Sequence, residues 1–219
     1  MSHRFLVYFA DPMCSWCYGF GPELEGFLRE RPAMRVDVVM GGLRPYNTET
    51  ASPAFREMIA GHWAHVARES GVPFNDAALA REGFVYDTEP ACRAVVAARA
   101  TDPARALPYL KRVQHAFYAE GRDVTDAGVL ADLAAEEGLD RAVFLAAHAS
   151  SVAKDAVRND FAATQQTGVT GFPTLAVGYP DRRYFLLTAG FARAADLAVR
   201  LDRIAGIAEI PAASQSPDA

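Results

Sequence analysis

The chain has 219 residues, 51% of them hydrophobic and 22% charged, which supplies enough apolar material for a well-buried core and places it among ordinary globular proteins. A formal net charge of −5 gives no electrostatic pull toward nucleic acid or an anionic membrane surface, so neither is expected as a partner. No stretch approaches the roughly 18 uninterrupted apolar residues of a membrane span, and no apolar leader precedes the first strand, so a soluble, cytoplasmic protein is expected.

In chain order, Phe5-Leu6-Val7-Tyr8-Phe9 reads as a buried strand and runs almost directly into Cys14-Ser15-Trp16-Cys17, after which a helical pattern begins. Two thiols are therefore presented at a strand-to-helix junction. A helix N-terminus exposes unpaired N–H groups and a partial positive charge, which favours a thiolate at the first cysteine. In a C-x-x-C setting a thiol pKa can fall from about 8.5 to between about 3.5 and 7.5. Cys14 is then the nucleophile, and Cys17, one turn into the helix, the resolving thiol. Ser15 can donate a hydrogen bond toward the Cys14 thiolate but adds no positive charge. Trp16 either supplies apolar substrate surface or simply packs at the helix start. The same spacing is also half of a zinc site, but no second pair accompanies it, so no metal is expected. Three cysteines do not make a disulfide framework for a chain of this size, and redox chemistry is the better use for the pair.

Met34 to Met40 forms a second strand, ended by Gly41-Gly42. Strand, helix and strand in succession imply a right-handed crossover and a parallel pair, with the working residues at the carboxyl end of the first strand. From about Ser52 to His148 the period turns helical, with Phe55, Ile59, Trp63 and Val66, then Leu110, Val113 and Phe117, recurring every three or four residues. Stops at Gly71, Glu89-Pro90, Asp102-Pro103, Gly121 and Gly138 divide this block into five short helices, with Thr125-Asp126 and Asp140 as caps. His62 and His65, three apart, lack a third ligand and read as exposed or packing residues. Cys92 sits among small apolar residues and reads as a small buried hydrophobe, a third redox role or a place lining the active face remaining open.

A further helix from Val152 to Gln166 leads to Gly168-Val169-Thr170-Gly171-Phe172-Pro173-Thr174 and a strand over 174–178. Tyr184 to Leu187 reads as its hairpin partner, and Ala194 to Ile204 as a covering helix. Beyond Pro211 the tail has nothing to bury and is expected to be mobile.

That order, C-S-W-C after a first strand and T-G-F-P-T before a late one with a helical block between, resembles the DsbA-like branch of the thioredoxin superfamily. The segment Asp11 to Phe20 is similar to its FrnE-type subgroup, and the resemblance extends from Phe5 to about Ile204. It implies an α/β, thioredoxin-like fold with a large all-helical insertion: residues 1–50 and 150–207 as the thioredoxin-like domain, 51–149 as the insertion, and 208–219 as a flexible tail. It also implies a cis proline at Pro173 beside the cysteine pair, with the Phe172 backbone free to pair with an extended substrate, so that Ser15, Trp16, Phe172 and Pro173 form the substrate-binding set.

The implied activity is that of a thiol–disulfide oxidoreductase or protein disulfide isomerase acting on protein or peptide thiols and disulfides, without a resident cofactor and with glutathione eligible as reductant or ligand. Two alternatives stand beside it. In the related kappa-class glutathione transferases and 2-hydroxychromene-2-carboxylate isomerases a serine typically replaces the first cysteine and glutathione provides the sulfur; this chain keeps both cysteines. The other is a non-catalytic peptide-binding or chaperone module with incidental thiols. Substrate, redox partner, direction of electron flow and oligomeric state are left open by the sequence.

Overall fold

The computed structural model describes residues 4–208. β1 (Phe5–Ala10) and β2 (Val36–Met40) are joined by α1 (Ser15–Arg29) and run parallel, with Tyr8 opposite Val38 and Ala10 opposite Met40. β3 (Thr174–Gly178) lies antiparallel on the far side of β1, and β4 (Tyr184–Ala189) antiparallel on β3, giving the order β2-β1-β3-β4. α9 (Ala194–Ala208) closes the chain by packing on α1 and β4. This is the expected α/β architecture: a sheet-and-helix unit with a long helical insert.

The insert holds α2 (Pro53–Ser70), the single turn α3 (Ala77–Ala80), α4 (Glu89–Thr101), α5 (Ala106–Tyr118), α6 (Ala127–Glu136) and α7 (Arg141–Ala149), followed by α8 (Ser151–Gln166). Six helices and a 3-10 turn at Pro103–Arg105 thus replace the five expected between residues 52 and 148. Two physical causes account for the difference. Glu89-Pro90 opens α4 where a stop was expected, because a proline in the first turn lacks an N–H that would be unpaired there anyway. α3 is too short to leave a periodic signal. The cap assignments hold for Asp126 and Asp140, which accept from Val129 N and Val143 N, both at 2.8 Å. Thr125 bonds Asp123 and caps nothing. β2 starts two residues later than expected, while β4 runs on to Ala189 and α9 to Ala208. The tail assigned to 208–219 lies, from residue 209, outside the described residues.

One buried cluster passes from Leu6 on β1 through Phe20 on α1, Trp63 on α2, Phe117 on α5 and Phe144 on α7 to Leu201 on α9, so the helical block and the sheet share a core. Full burial of each such side chain contributes about 1.5–3 kcal/mol. A polar clasp joins them too. Asp160 on α8 accepts Met40 N at 2.9 Å and meets Arg99 of α4 in a two-pronged ion pair, both contacts 2.9 Å. Arg99 also donates to Val38 O at 2.6 Å, and the Thr164 hydroxyl to Met40 O at 3.1 Å. The end of β2 is therefore fixed, and with it the loop that starts at Gly41. Among the described residues no helix is long and apolar enough to cross a membrane.

Candidate active site

α1 begins at Ser15 with Cys14 as its N-cap in extended backbone, φ −93° and ψ 115°, and no side chain caps the helix. The first-turn N–H groups are thus left beside the Cys14 sulfur without a side-chain acceptor. Asp11 builds the preceding turn: its carbonyl accepts Cys14 N at 3.1 Å and its Oδ1 accepts Met13 N at 2.8 Å. The Tyr86 hydroxyl, donating to Met13 O, clamps the same turn from the helical block.

Both thiols are unbridged, with Cys14 6% exposed and Cys17 fully buried behind it. Phe172–Pro173 is cis, and the Cys14 thiol donates to Phe172 O at 3.6 Å. The structure therefore brings together Cys14, Cys17, Phe172 and Pro173, residues that the sequence separates by more than 150 positions. Burial pushes the Cys17 thiol well above the ordinary range, and the Cys14 sulfur to which it hydrogen-bonds pushes further. Cys17 is accordingly a protonated thiol at neutral pH. Tyr8 packs beside it, its phenol driven up by burial and then by the sulfur of Cys17.

Trp16 is half-buried and packs at the helix start, one of the two readings expected of it. Its ring packs on Phe191 at 5.7 Å and meets the edges of His62 and His65 at 6.2 and 5.6 Å. It also lines a cleft of about 480 Å³ with Cys14, Arg44, Met58, His62 and Phe172. His62 and His65 are exposed on α2 and buttress the tryptophan. Ser15 is buried and lines the cleft beside Cys14 but makes no hydrogen bond to its sulfur, against expectation. Among the described residues no group of three or more His, Cys, Asp or Glu side chains is placed to hold a metal.

Two residues of the site were not singled out from the sequence. Asp11 is fully buried with no cation against it. Its Oδ2 accepts Leu43 N at 2.7 Å and the Cys92 thiol at 3.3 Å. Burial pushes its carboxyl up, opposed by the N–H groups of Leu43 and Met13, the Cys92 thiol and the Thr88 hydroxyl. The available signal was a charged residue straight after an apolar strand and three before Cys14. Cys92 is buried as expected, yet it is a hydrogen-bond donor as well as packing; burial and then the Asp11 charge push its thiol up. Gly41 is the second. A Cβ built on it would lie 2.2 Å from Cε1 and Cζ of Phe172, so the ring beside the cis bond rests on bare backbone.

A dithiol at the head of a helix, facing a cis-proline loop across one end of this sheet, defines a thioredoxin-fold thiol–disulfide oxidoreductase. The chain belongs to the DSBA-like thioredoxin domain family, whose model matches residues 5–201. The structure is similar to that of a candidate protein disulfide isomerase from Nitrosomonas europaea, with 35% identity, a TM-score of 0.85, and 93% of this chain and 98% of that one covered. It is also similar to the cytosolic disulfide reductase DsbM from Pseudomonas aeruginosa, with 29% identity, a TM-score of 0.76, and 93% and 99% covered. The same DsbM determined with glutathione superposes with a TM-score of 0.74 at the same identity and coverage.

Proposed function

We propose that the protein exchanges disulfides through Cys14 and Cys17, in the reducing or isomerising direction, in the cytoplasm, and that glutathione restores its dithiol form. The observation that carries this reading is the asymmetry of the pair: Cys14 reaches the cleft and the cis-proline loop, while Cys17 is sealed behind it as a protonated thiol. The Cys14 thiolate attacks one sulfur of a substrate disulfide, forms a mixed disulfide and expels the first substrate thiolate, which takes up a proton. Cys17 then gives its proton to the departing second thiolate as its sulfur attacks that of Cys14. The Cys14–Cys17 bond closes, and the substrate leaves as two thiols carrying the two electrons.

Regeneration reverses the logic. A glutathione thiolate attacks the more accessible Cys14 sulfur and releases Cys17, which is reprotonated. A second glutathione attacks the bound glutathione sulfur, freeing Cys14 and leaving as glutathione disulfide. The two electrons pass only from sulfur to sulfur, from glutathione through the Cys14–Cys17 pair to the substrate, so the cycle calls for no resident metal or organic cofactor. Support for glutathione and for a cytosolic setting comes from the similarity to DsbM, a cytosolic reductase also determined with that tripeptide. Exposed Leu43 and Met58 at the cleft, with the open backbone of Gly171, suit an extended protein or peptide segment, and Trp16 and Phe172 line the surface it would lie on, with Pro173 buried beneath the Phe172 end.

The test is titration of the dithiol against glutathione redox buffers, read by thiol labelling, with Cys14→Ser as control and Cys17→Ser as trap. A reversible two-electron transition lost in Cys14→Ser, and a mixed disulfide accumulating on Cys14 in Cys17→Ser, are expected. A pair that never oxidises sinks the reading.

A further inference from the structure

We propose that Arg44 is the carboxylate anchor of the cleft and selects small anionic thiols, of which glutathione is the type, over neutral or cationic ones; this rests on the thiol–disulfide reading above. Arg44 is the only residue lining the cleft that carries a permanent charge, and no acidic residue lines it. Its guanidinium stands 4.8 Å over the Phe55 ring, a cation–π contact that holds the group in place without neutralising it. Among the described residues Arg44 has no ion pair. Of the acids beside the segment that holds its backbone, Asp87 accepts Tyr46 N and Glu89 N, Glu89 pairs with Arg93, and Asp11 is buried on Leu43 N, Met13 N and the Cys92 thiol.

The backbone of Arg44 is fixed as well. Its N–H donates to Thr88 Oγ1 at 3.1 Å and its carbonyl accepts Thr88 N at 3.2 Å, while the preceding Leu43 N is held by Asp11. A positive charge thus stands, on a fixed backbone and against the Phe55 ring, at the cavity that contains the reactive sulfur. The cavity volume, about 480 Å³, falls within the size range of small-molecule sites. A planar guanidinium presents paired N–H donors that match a carboxylate, which a lysine ammonium does less well. A thiol with a carboxylate on a flexible backbone can then place its sulfur at Cys14 while its acid end meets Arg44.

The experiment follows reduction of the oxidised protein by three thiols in turn, glutathione, glutathione diethyl ester and cysteamine, in wild type, Arg44→Gln, Arg44→Lys and Arg44→Glu, at low and high salt. The wild type is expected to prefer glutathione to its diethyl ester. Arg44→Gln should lower that preference about tenfold, Arg44→Lys should recover part of it, and Arg44→Glu should shift the preference toward cysteamine. High salt should shrink the wild-type preference, as screening requires. A glutathione-to-ester ratio unchanged in Arg44→Gln and Arg44→Glu overturns the anchor. The underlying reading fails differently: wild type would then not be reduced by any of the three thiols, whatever stands at position 44.

Discussion

The Phe172 loop offers the sharpest test of how the fold holds the site, through Gly41→Ala. A methyl group there would sit 2.2 Å from Cε1 and Cζ of Phe172 and 2.7 Å from Cε2. Ordinary carbon contacts begin near about 3.5 Å, so the ring must retreat by about 1.3 Å. Phe172 cannot swing away freely, because its carbonyl receives the Cys14 thiol. Nor can the Gly41 backbone recede, since Gly41 N is bonded to Ala10 O at 2.7 Å and the residue before it is held by Asp160. Overpacking of this kind costs about 1–3 kcal/mol, and for a chain of this size each kcal/mol lowers Tm by about 2–4 °C. A displacement of about 1 Å at a reacting group can slow exchange by about 100-fold. Urea denaturation and the rate of disulfide exchange would be measured for Gly41→Ala, Phe172→Ala and the double variant. The double variant should recover stability relative to Gly41→Ala, giving a coupling energy of about 1 kcal/mol or more. Strict additivity, or a Gly41→Ala protein as stable and fast as wild type, refutes the argument.

Three further outcomes follow from buried groups. Because burial raises Asp11, its stabilising contribution is full below the unfolded carboxylate pKa of about 3.9 and is lost as pH rises through the higher folded value; Asp11→Asn should remove that part of the slope in a pH series of urea midpoints. It should also cost about 1–3 kcal/mol at low pH, by setting an amide N–H₂ against the N–H of Met13 or Leu43. Cys92→Ala should cost about 1–2 kcal/mol yet leave the Cys14–Cys17 redox transition intact, since its thiol serves Asp11; loss of that transition would give Cys92 a redox role. Asp160→Ala should destabilise by about 3 kcal/mol in thermal or urea unfolding, leaving Arg99 and Met40 N without their acceptor, and an effect within about 0.5 kcal/mol would show the clasp to be dispensable.

Sheet and dithiol were legible because their signals are local. Short β-branched runs end at Gly41-Gly42 or begin at Pro173, and the two cysteines stand one helical turn apart just after such a run. Asp126 and Asp140 were legible as caps for the same reason, acting within three residues of themselves. What escaped depends on partners far along the chain. Asp11 acquires its role from Leu43, 32 residues on, and Cys92, 81 residues on. Gly41 reads as a strand stop until Phe172 is laid across it. Ser15 has the opposite history: adjacent to the nucleophile in sequence and lining the same cleft, it makes no hydrogen bond to the Cys14 sulfur. Arg44 drew no notice because nothing about an isolated arginine in a loop tells that it lines the cleft of the reactive cysteine without an ion-pair partner among the described residues.

The clasp on β2 has a consequence for how the molecule meets copies of itself. β2 is an edge strand, and its outward-facing groups at Val38 O, Met40 N and Met40 O are taken up by Arg99, Asp160 and Thr164. A strand from another chain finds the carboxyl end of that ladder already occupied. The opposite edge, β4, carries the exposed side chains of Tyr184 and Leu186. Unpaired sheet edges are templates for strand addition, and the side chains of α4 and α8 that fix the end of β2 blunt the edge there.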